Sequence, residues 1–250
     1  MYKKNIRIGA RNYELESDDN YLQALGEAFE PQTVALLKSL QRSQGVVIDI
    51  GANIGCTALL FAQQAARVLA FEPSPSTFSL LKRNIETSGC KNIELFNMAL
   101  GREAGRSELT FAPDNRSGAF VSDQTQASVG HVTETITIER LDDVVATLAL
   151  NRIDLIKIDV EGFEQSVLQG SLNTLARYRP VVVLELNHWC LNAFQRITVP
   201  DFFDFLRSIF PVLHAVDGDS RLDLHDASQS YMVMYHHILH FKYQNIVASF

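Results

Sequence analysis

A mostly parallel α/β sheet with helices on both faces is the fold this chain predicts. Short, near-continuous apolar runs alternate with stretches of helical composition, as expected of strands buried on both sides. The first run, "VVIDIG", opens directly into a tight glycine turn, "GANIG". The polar residues then recur at the ends of the runs: Asp49, Glu72, Asn97, Asp159 and Glu185. A parallel sheet binds its ligand at that carboxyl edge, beside the first strand.

The elements follow in order. Residues 1–44 read as an N-terminal extension, a strand pair around Ile6, Ile8, Tyr13 and Leu15 followed by a helix, that could act as a lid. Residues 45–250 read as one domain. After "VVIDIG" come a helix in "TALLFAQQAA", a strand in "RVLAFEP", and a helix with Ser74 as N-cap, Pro75 in its first turn and Gly89 as its stop. "NIELFNMAL" reads as the third strand, and "RSELTF" and "ETITIE" as β-runs around a polar loop from Pro113 to His131. A helix near Asp142 leads to the fourth strand, "IDLIKIDVEG". Helices between Phe163 and Tyr178 lead to the fifth, "PVVVLEL". A helix in "VPDFFDFLRSIF" and β-runs near Val212–Val216 and Tyr231–Tyr235 finish the chain.

Composition narrows the partners. A formal charge of −7 argues against a phosphate-tracking surface, so nucleic acid is not expected and a small-molecule acceptor is. Three cysteines, far apart and without a C-x-x-C pair, suit reduced thiols. The N-terminus lacks the apolar core of a signal peptide, and no run approaches the ~20 apolar residues of a membrane span. The expectation is a cytoplasmic protein.

The glycine turn selects the cofactor. A G-x-G-x-x-G pattern begun at Gly51 puts Asn53 and Cys56 where glycines belong, and a pyrophosphate needs the second position bare. The register that fits is Asp49-x-Gly51-x-Asn53-x-Gly55, with Asn53 tolerant of positive φ. Asp49 would repel a pyrophosphate and suits a cation, while Glu72 closes the next strand where an acid accepts ribose hydroxyls. A nucleoside with a cationic tail, S-adenosylmethionine, meets these demands. An NAD(P)-dependent oxidoreductase and a catalytically inactive binding protein are the alternatives.

"VVIDIGANIG", "AFEPSPSTFSLLKRNI", "NMALG", "LDD" and "LIKIDVEGFEQSVLQG", with "FEP" upstream, resemble the FkbM family of S-adenosylmethionine-dependent methyltransferases over residues 29–190. The resemblance implies a class I methyltransferase (Rossmann-like) fold, with a seven-stranded sheet whose last strand is antiparallel. It implies methylation of a hydroxyl on a sugar or secondary metabolite, releasing S-adenosylhomocysteine. It also implies cofactor contacts from Asp49, Gly51, Asn53, Gly55 and Glu72, with Asn97 to Ala99 near the adenine.

In-line methyl transfer demands alignment of the acceptor oxygen, and an alcohol benefits from a base. Period-2 alternation puts Lys157, Asp159 and Glu161 on one face if the fourth strand runs that far. A buried lysine needs a partner, which Asp159 or Glu185 could supply. Glu161, Asp159 and His188 are the candidate bases, and Lys157 with Asp159 reads equally as a structural ion pair. Asp159, Glu161, Glu185 and His188 could gather a divalent metal, which is possible but not favoured. The histidines of "HHILH" (His236, His237, His240) read as a surface cluster. Glu30 either covers the cofactor or caps the helix opening at Pro31, and "APDNRSGAF" has the length of a substrate-facing loop.

Overall fold

A computed structural model describes residues 1–122, 124–125 and 128–250. Near the N-terminus, β1 (Tyr2–Ile8) and β2 (Arg11–Ser17) form an antiparallel hairpin, followed by α1 (Tyr21–Ala24) and α2 (Pro31–Leu40). The alternation then begins: β3 (Val46–Ile50), α3 (Cys56–Ala62), β4 (Arg67–Phe71), α4 (Pro75–Ser88) and β5 (Ile93–Phe96). A four-stranded insertion follows, built from β6 (Ala99–Leu100), β7 (Gly105–Ala112), β8 (Asn115–Val121) and β9 (Val132–Glu139). Next are α5 (Leu141–Thr147), β10 (Leu155–Ile158), α6 (Glu164–Gln169), α7 (Leu172–Tyr178) and β11 (Val181–Glu185). The chain closes with α8 (His188–Gln195), α9 (Val199–Ile209), β12 (Val212–Asp217), β13 (Ser220–Asp223), α10 (Ala227–His240) and β14 (Asn245–Ser249).

The main sheet runs β13-β12-β14-β11-β10-β3-β4-β5. Its β11-β10-β3-β4-β5 half is parallel, and β14 is antiparallel to both neighbours. The sheet therefore has eight strands where seven were expected, because β13 folds back on β12 as a hairpin. One face carries Ile48, Ile50, Ile156 and Ile158 against α9 and its neighbours. The other carries Val47, Val68, Ala70 and Leu155 against α3, α4 and the N-terminal hairpin. Burial of these strands on both faces supplies the hydrophobic driving force for the parallel half.

Several local expectations change. "NIELFNMAL" divides: Ile93–Phe96 stays in the main sheet, whereas Ala99–Leu100 leaves it to pair with β9. Much of the expected polar loop is strand, since β8 pairs with β7 across a turn at Pro113 and Asp114; residues 123, 126 and 127 of that loop lie outside the described residues. Tyr231–Tyr235 is helix, not strand. Ser230, Val233 and His237 recur at helical spacing on the buried side of α10, overriding the β preference of "YMVMY". The antiparallel strand is instead "NIVAS" in β14.

Asn84 of α4, wholly buried, docks the hairpin onto the sheet layer. Its Oδ1 accepts from Glu16 N at 2.8 Å, and its Nδ2 donates to Glu16 O at 3.1 Å and to Ile54 O at 2.9 Å. One side chain thus ties an edge of β2 to the glycine turn. Asn84→Ala should lower unfolding stability by about 2 kcal/mol, because backbone groups are left without partners. Urea denaturation checks this, and hydrogen exchange should show β2 amides losing protection before β3.

Candidate functional site

Two turns meet at the carboxyl edge of the sheet, and Lys157 joins them. Register places Lys157 of β10 directly opposite Asp49 of β3. The Lys157 ammonium donates to Gly51 O at 3.0 Å and lies 3.1 Å from Asp159 Oδ2 and 3.6 Å from Asp49 Oδ1. Burial by itself would lower the Lys157 pKa, but the carboxylates of Asp159 and Asp49 hold it above its ordinary value. Gly51 has φ of 82°, and a side chain there would collide with the Asp159 carbonyl oxygen. The two turns can touch because that position is bare.

A cavity of about 400 Å³ opens beside this junction. Its floor is the glycine turn, with Gly51 and Asn53, and the end of β4, with Glu72. Asn53 takes the left-handed conformation (φ 48°), and its N–H donates to Glu72 Oε2 at 3.0 Å while Ser74 N donates to Oε1 at 2.9 Å. Burial pushes the Glu72 carboxyl up to about 7 despite those two donors. Met98, Ala99 and Leu109 supply an apolar wall. Asp159, Glu161 and Glu185 line it too, with one oxygen from each within 4.8 Å of the others.

The roof comes from the extension and the insertion. Tyr21, Phe29, Glu30 and Thr33 line the cavity, as do Arg116, Ser117 and Ala119 of β8. Arg116 clasps the two: its guanidinium meets both Asp18 oxygens at 2.6 and 2.8 Å, and its N–H donates to Asp19 at 2.9 Å. The "APDNRSGAF" segment does face the cavity, as a strand rather than a loop. Glu30 precedes α2 without a side-chain capping bond and lines the cavity instead. Burial, then the neighbouring Asp159, raises its pKa.

Four expected site residues lie elsewhere. Asp49 has no exposed surface and does not line the cavity; its Oδ2 accepts from Thr57 Oγ1 at 2.7 Å, and Lys157 already occupies it as a cation. Gly55 sits behind the turn, where a Cβ would come within 2.9 Å of Leu81. Asn97 pins the end of β4 from outside, donating to Glu72 O at 2.9 Å and Pro73 O at 3.0 Å. His188 opens α8 rather than ending β11, and packs on His237 and Phe241 with ring centroids 5.0 and 4.9 Å away.

His188 therefore does not join the three carboxylates. Asp159, Glu161 and Glu185 do converge, with Oδ2 of Asp159 also 3.1 Å from the Lys157 ammonium. The "HHILH" cluster also divides. His237 is buried, donates from Nδ1 to Lys242 O at 2.7 Å and accepts at Nε2 from His188 N at 3.3 Å, while His240 is exposed.

A family model described as "Methyltransferase FkbM domain" matches residues 49–217, more than half of the chain. The chain belongs to the FkbM methyltransferase family. Methyltransferase 1 of Beauveria bassiana is 32% identical over 50% of this chain and 57% of its own length. The 2-O-methyltransferase NoeI of Sinorhizobium fredii is 29% identical over 58% of this chain and 64% of its own. The 31-O-demethyl-FK506 methyltransferase FkbM of Streptomyces tacrolimicus is 30% identical over 52% of this chain and 60% of its own. The chain thus spans less than two thirds of each of these relatives.

Within this FkbM fold, Glu161 reaches the cavity by a route that alternation does not describe. β10 ends at Ile158, and Glu161 stands in the following turn with φ of 50°. Glu164 stabilises that turn from inside, its Oε1 accepting from Val160 N at 3.1 Å and Gly162 N at 3.2 Å. The sequence reading missed this role, although a buried acid two residues beyond a glycine is a signal for it. Burial pushes Glu161 up to about 7 and Glu164 to about 8. Glu185 is also raised, by burial and then by Asp159, Glu161 and Glu164.

These acids fix the sign of a pH effect. A glutamate whose folded pKa lies near 7 holds protons that the unfolded chain, near 4.5, has released. Stability should therefore fall as pH rises from 6.5 to 8. Half-buried His188 and buried His237, whose pKa values burial lowers from 6.5, act with the opposite sign around and below pH 6.5, so their effect fades as pH rises through that window. Urea midpoints across pH 6.5–8 check the slope, and Glu161→Gln should flatten it.

Proposed function

We propose that this FkbM-family chain transfers a methyl group from S-adenosylmethionine to a hydroxyl of a sugar or secondary metabolite, leaving S-adenosylhomocysteine. The observation that carries this reading is one cavity lined both by the glycine turn with Glu72 and by the Asp159–Glu161–Glu185 group. The relatives named as 2-O- and 31-O-demethyl-FK506 methyltransferases support an oxygen acceptor.

When bound, S-adenosylmethionine supplies an electrophilic methyl group on a sulfonium. Glu72 would accept the ribose hydroxyls, since each oxygen keeps a lone pair beyond its backbone donor. Ala99 and its apolar neighbours would flank the adenine. Glu30 and Asp159, which line the cavity, would face the cationic tail in place of Asp49. Glu161 would take the hydroxyl proton of the acceptor as its oxygen attacks, and a pKa near 7 suits a base at neutral pH. Lys157 is then structural, holding Asp159 and the turn. A dinucleotide is disfavoured because the Asn53 amide that a pyrophosphate would need already donates to Glu72.

Isothermal titration should show S-adenosylhomocysteine binding, weakened at least tenfold (about 1.4 kcal/mol) in Glu72→Ala. Absence of binding by the unaltered protein would sink the reading. Host extract incubated with methyl-labelled S-adenosylmethionine should yield a labelled hydroxyl compound by mass spectrometry. Glu161→Gln should slow that transfer by roughly 10²-fold or more.

A further inference from the structure

Among the described residues, the Glu161 carboxylate accepts hydrogen bonds at Oε2 alone. Cys190 Sγ donates to Glu161 Oε2 at 3.0 Å, and Asn187 Nδ2 approaches the same oxygen at 3.4 Å. Both donors belong to the start of α8, and both act on Oε2. Asn187 has a second task. Its Oδ1 accepts from Cys190 N at 3.2 Å as the N-cap of α8. The amide therefore spans two structures, with its oxygen on the helix and its nitrogen on the turn.

The contact is built in from both sides. Gly162, φ 95°, follows Glu161, and a Cβ there would lie 2.8 Å from the carbonyl carbon and oxygen of Cys190. The bare glycine lets the backbone of α8 close on the turn. Glu161 itself occupies the left-handed region, which costs a non-glycine residue of order 1 kcal/mol or more. Such a conformation persists where the surroundings over-determine it, and the α8 contacts supply that determination. The charged and titratable groups facing Glu161 are Lys157 and Asp159 from β10 and its turn, Glu185 from β11 and Cys190 from α8, with Glu164 of α6 behind the turn.

We propose that Asn187 is a positioning residue: it caps α8 with its amide oxygen and, with the Cys190 thiol, fixes Oε2 of Glu161, leaving Oε1 to the acceptor. This rests on Glu161 being the base. It means that the direction of the base is set by the register of α8, an element that follows the neighbouring strand. Cys190 is then a hydrogen-bond donor, not a nucleophile, consistent with a thiol whose pKa burial and the Glu161 charge drive far up.

The test uses the full chain carrying glutamate labelled with ¹³C at the side-chain carboxyl, with Glu161→Gln assigning the Glu161 resonance. Asn187→Ser keeps a good N-cap and removes the N–H donor. It should raise the Glu161 titration midpoint by roughly one pH unit, with melting temperature and S-adenosylhomocysteine affinity unchanged. Asn187→Asp, also a good cap, places a carboxylate oxygen there and should raise it further. Cys190→Ala should raise the midpoint, and Cys190→Ser, which retains a donor, should restore it. A midpoint unmoved in the Asn187 variants, or moved only together with lost melting temperature, overturns the proposal. That failure is distinct from undiminished methyl transfer by Glu161→Gln, which would overturn the base assignment.

Discussion

The ammonium of Lys157 is the interaction on which the carboxyl edge of this sheet depends. It reaches Gly51 O, Asp159 and Asp49, and so holds together the two turns that form the cavity. A buried ion pair gives little net stability, because desolvation of both partners offsets their attraction. Its worth here is geometric. Without it, Asp49 would be an unpaired carboxylate in the core, and Gly51 O would lose its side-chain tie to β10. The bare position at Gly51 is the steric half of the same constraint.

The electrostatic character of the cavity follows from where that positive charge is used. Lys157 is paired inward with Asp49 and Asp159, and Arg116 is paired with Asp18 in the roof. Glu30, Glu72, Glu161 and Glu185 thus line the cavity with no salt bridge among the described residues. Their carboxyls are driven toward the protonated form, by burial first and then by neighbouring acids, Asp159 for Glu30, Glu161 and Glu185 and Glu134 for Glu72. A ligand carrying positive charge relieves that strain, whereas an anionic ligand compounds it. The same arrangement suits a cation, and it leaves Glu161 with a pKa near 7 on the cavity wall.

Much of this was legible in the sequence. Strands buried on both faces announce themselves as apolar runs, so the parallel half of the sheet and the polar residues at its edge could be read directly. The pairing of Lys157 with an acid followed from the cost of burying it alone. What failed did so for tertiary reasons. Asp49 was assigned to the ligand because its neighbour across the sheet, Lys157, is more than a hundred residues away in sequence. His188 was offered as a base beside the strand-end acids, but it opens a helix whose start depends on the Asn187 cap rather than on a periodic pattern. β8 was hidden by turn-forming residues, and α10 by β-favouring residues that fall on its exposed side, Tyr231 and Tyr235.

Glu161 is the most instructive case, because the alternation offered for it required the strand to continue past Ile158. Strand alternation would have aimed its side chain with Lys157 and Asp159, but the strand stops at Ile158. What brings Glu161 to the cavity is a left-handed turn, made affordable by Glu164 beneath it and Asn187 and Cys190 beside it. A side chain aimed by a strand moves with the sheet. One aimed by a turn is held by contacts from outside the sheet, here from the start of α8. Separating the structural charges of the strand, Lys157 and Asp49, from the acid of the turn lets the framework keep its ion pair whichever protonation state Glu161 takes.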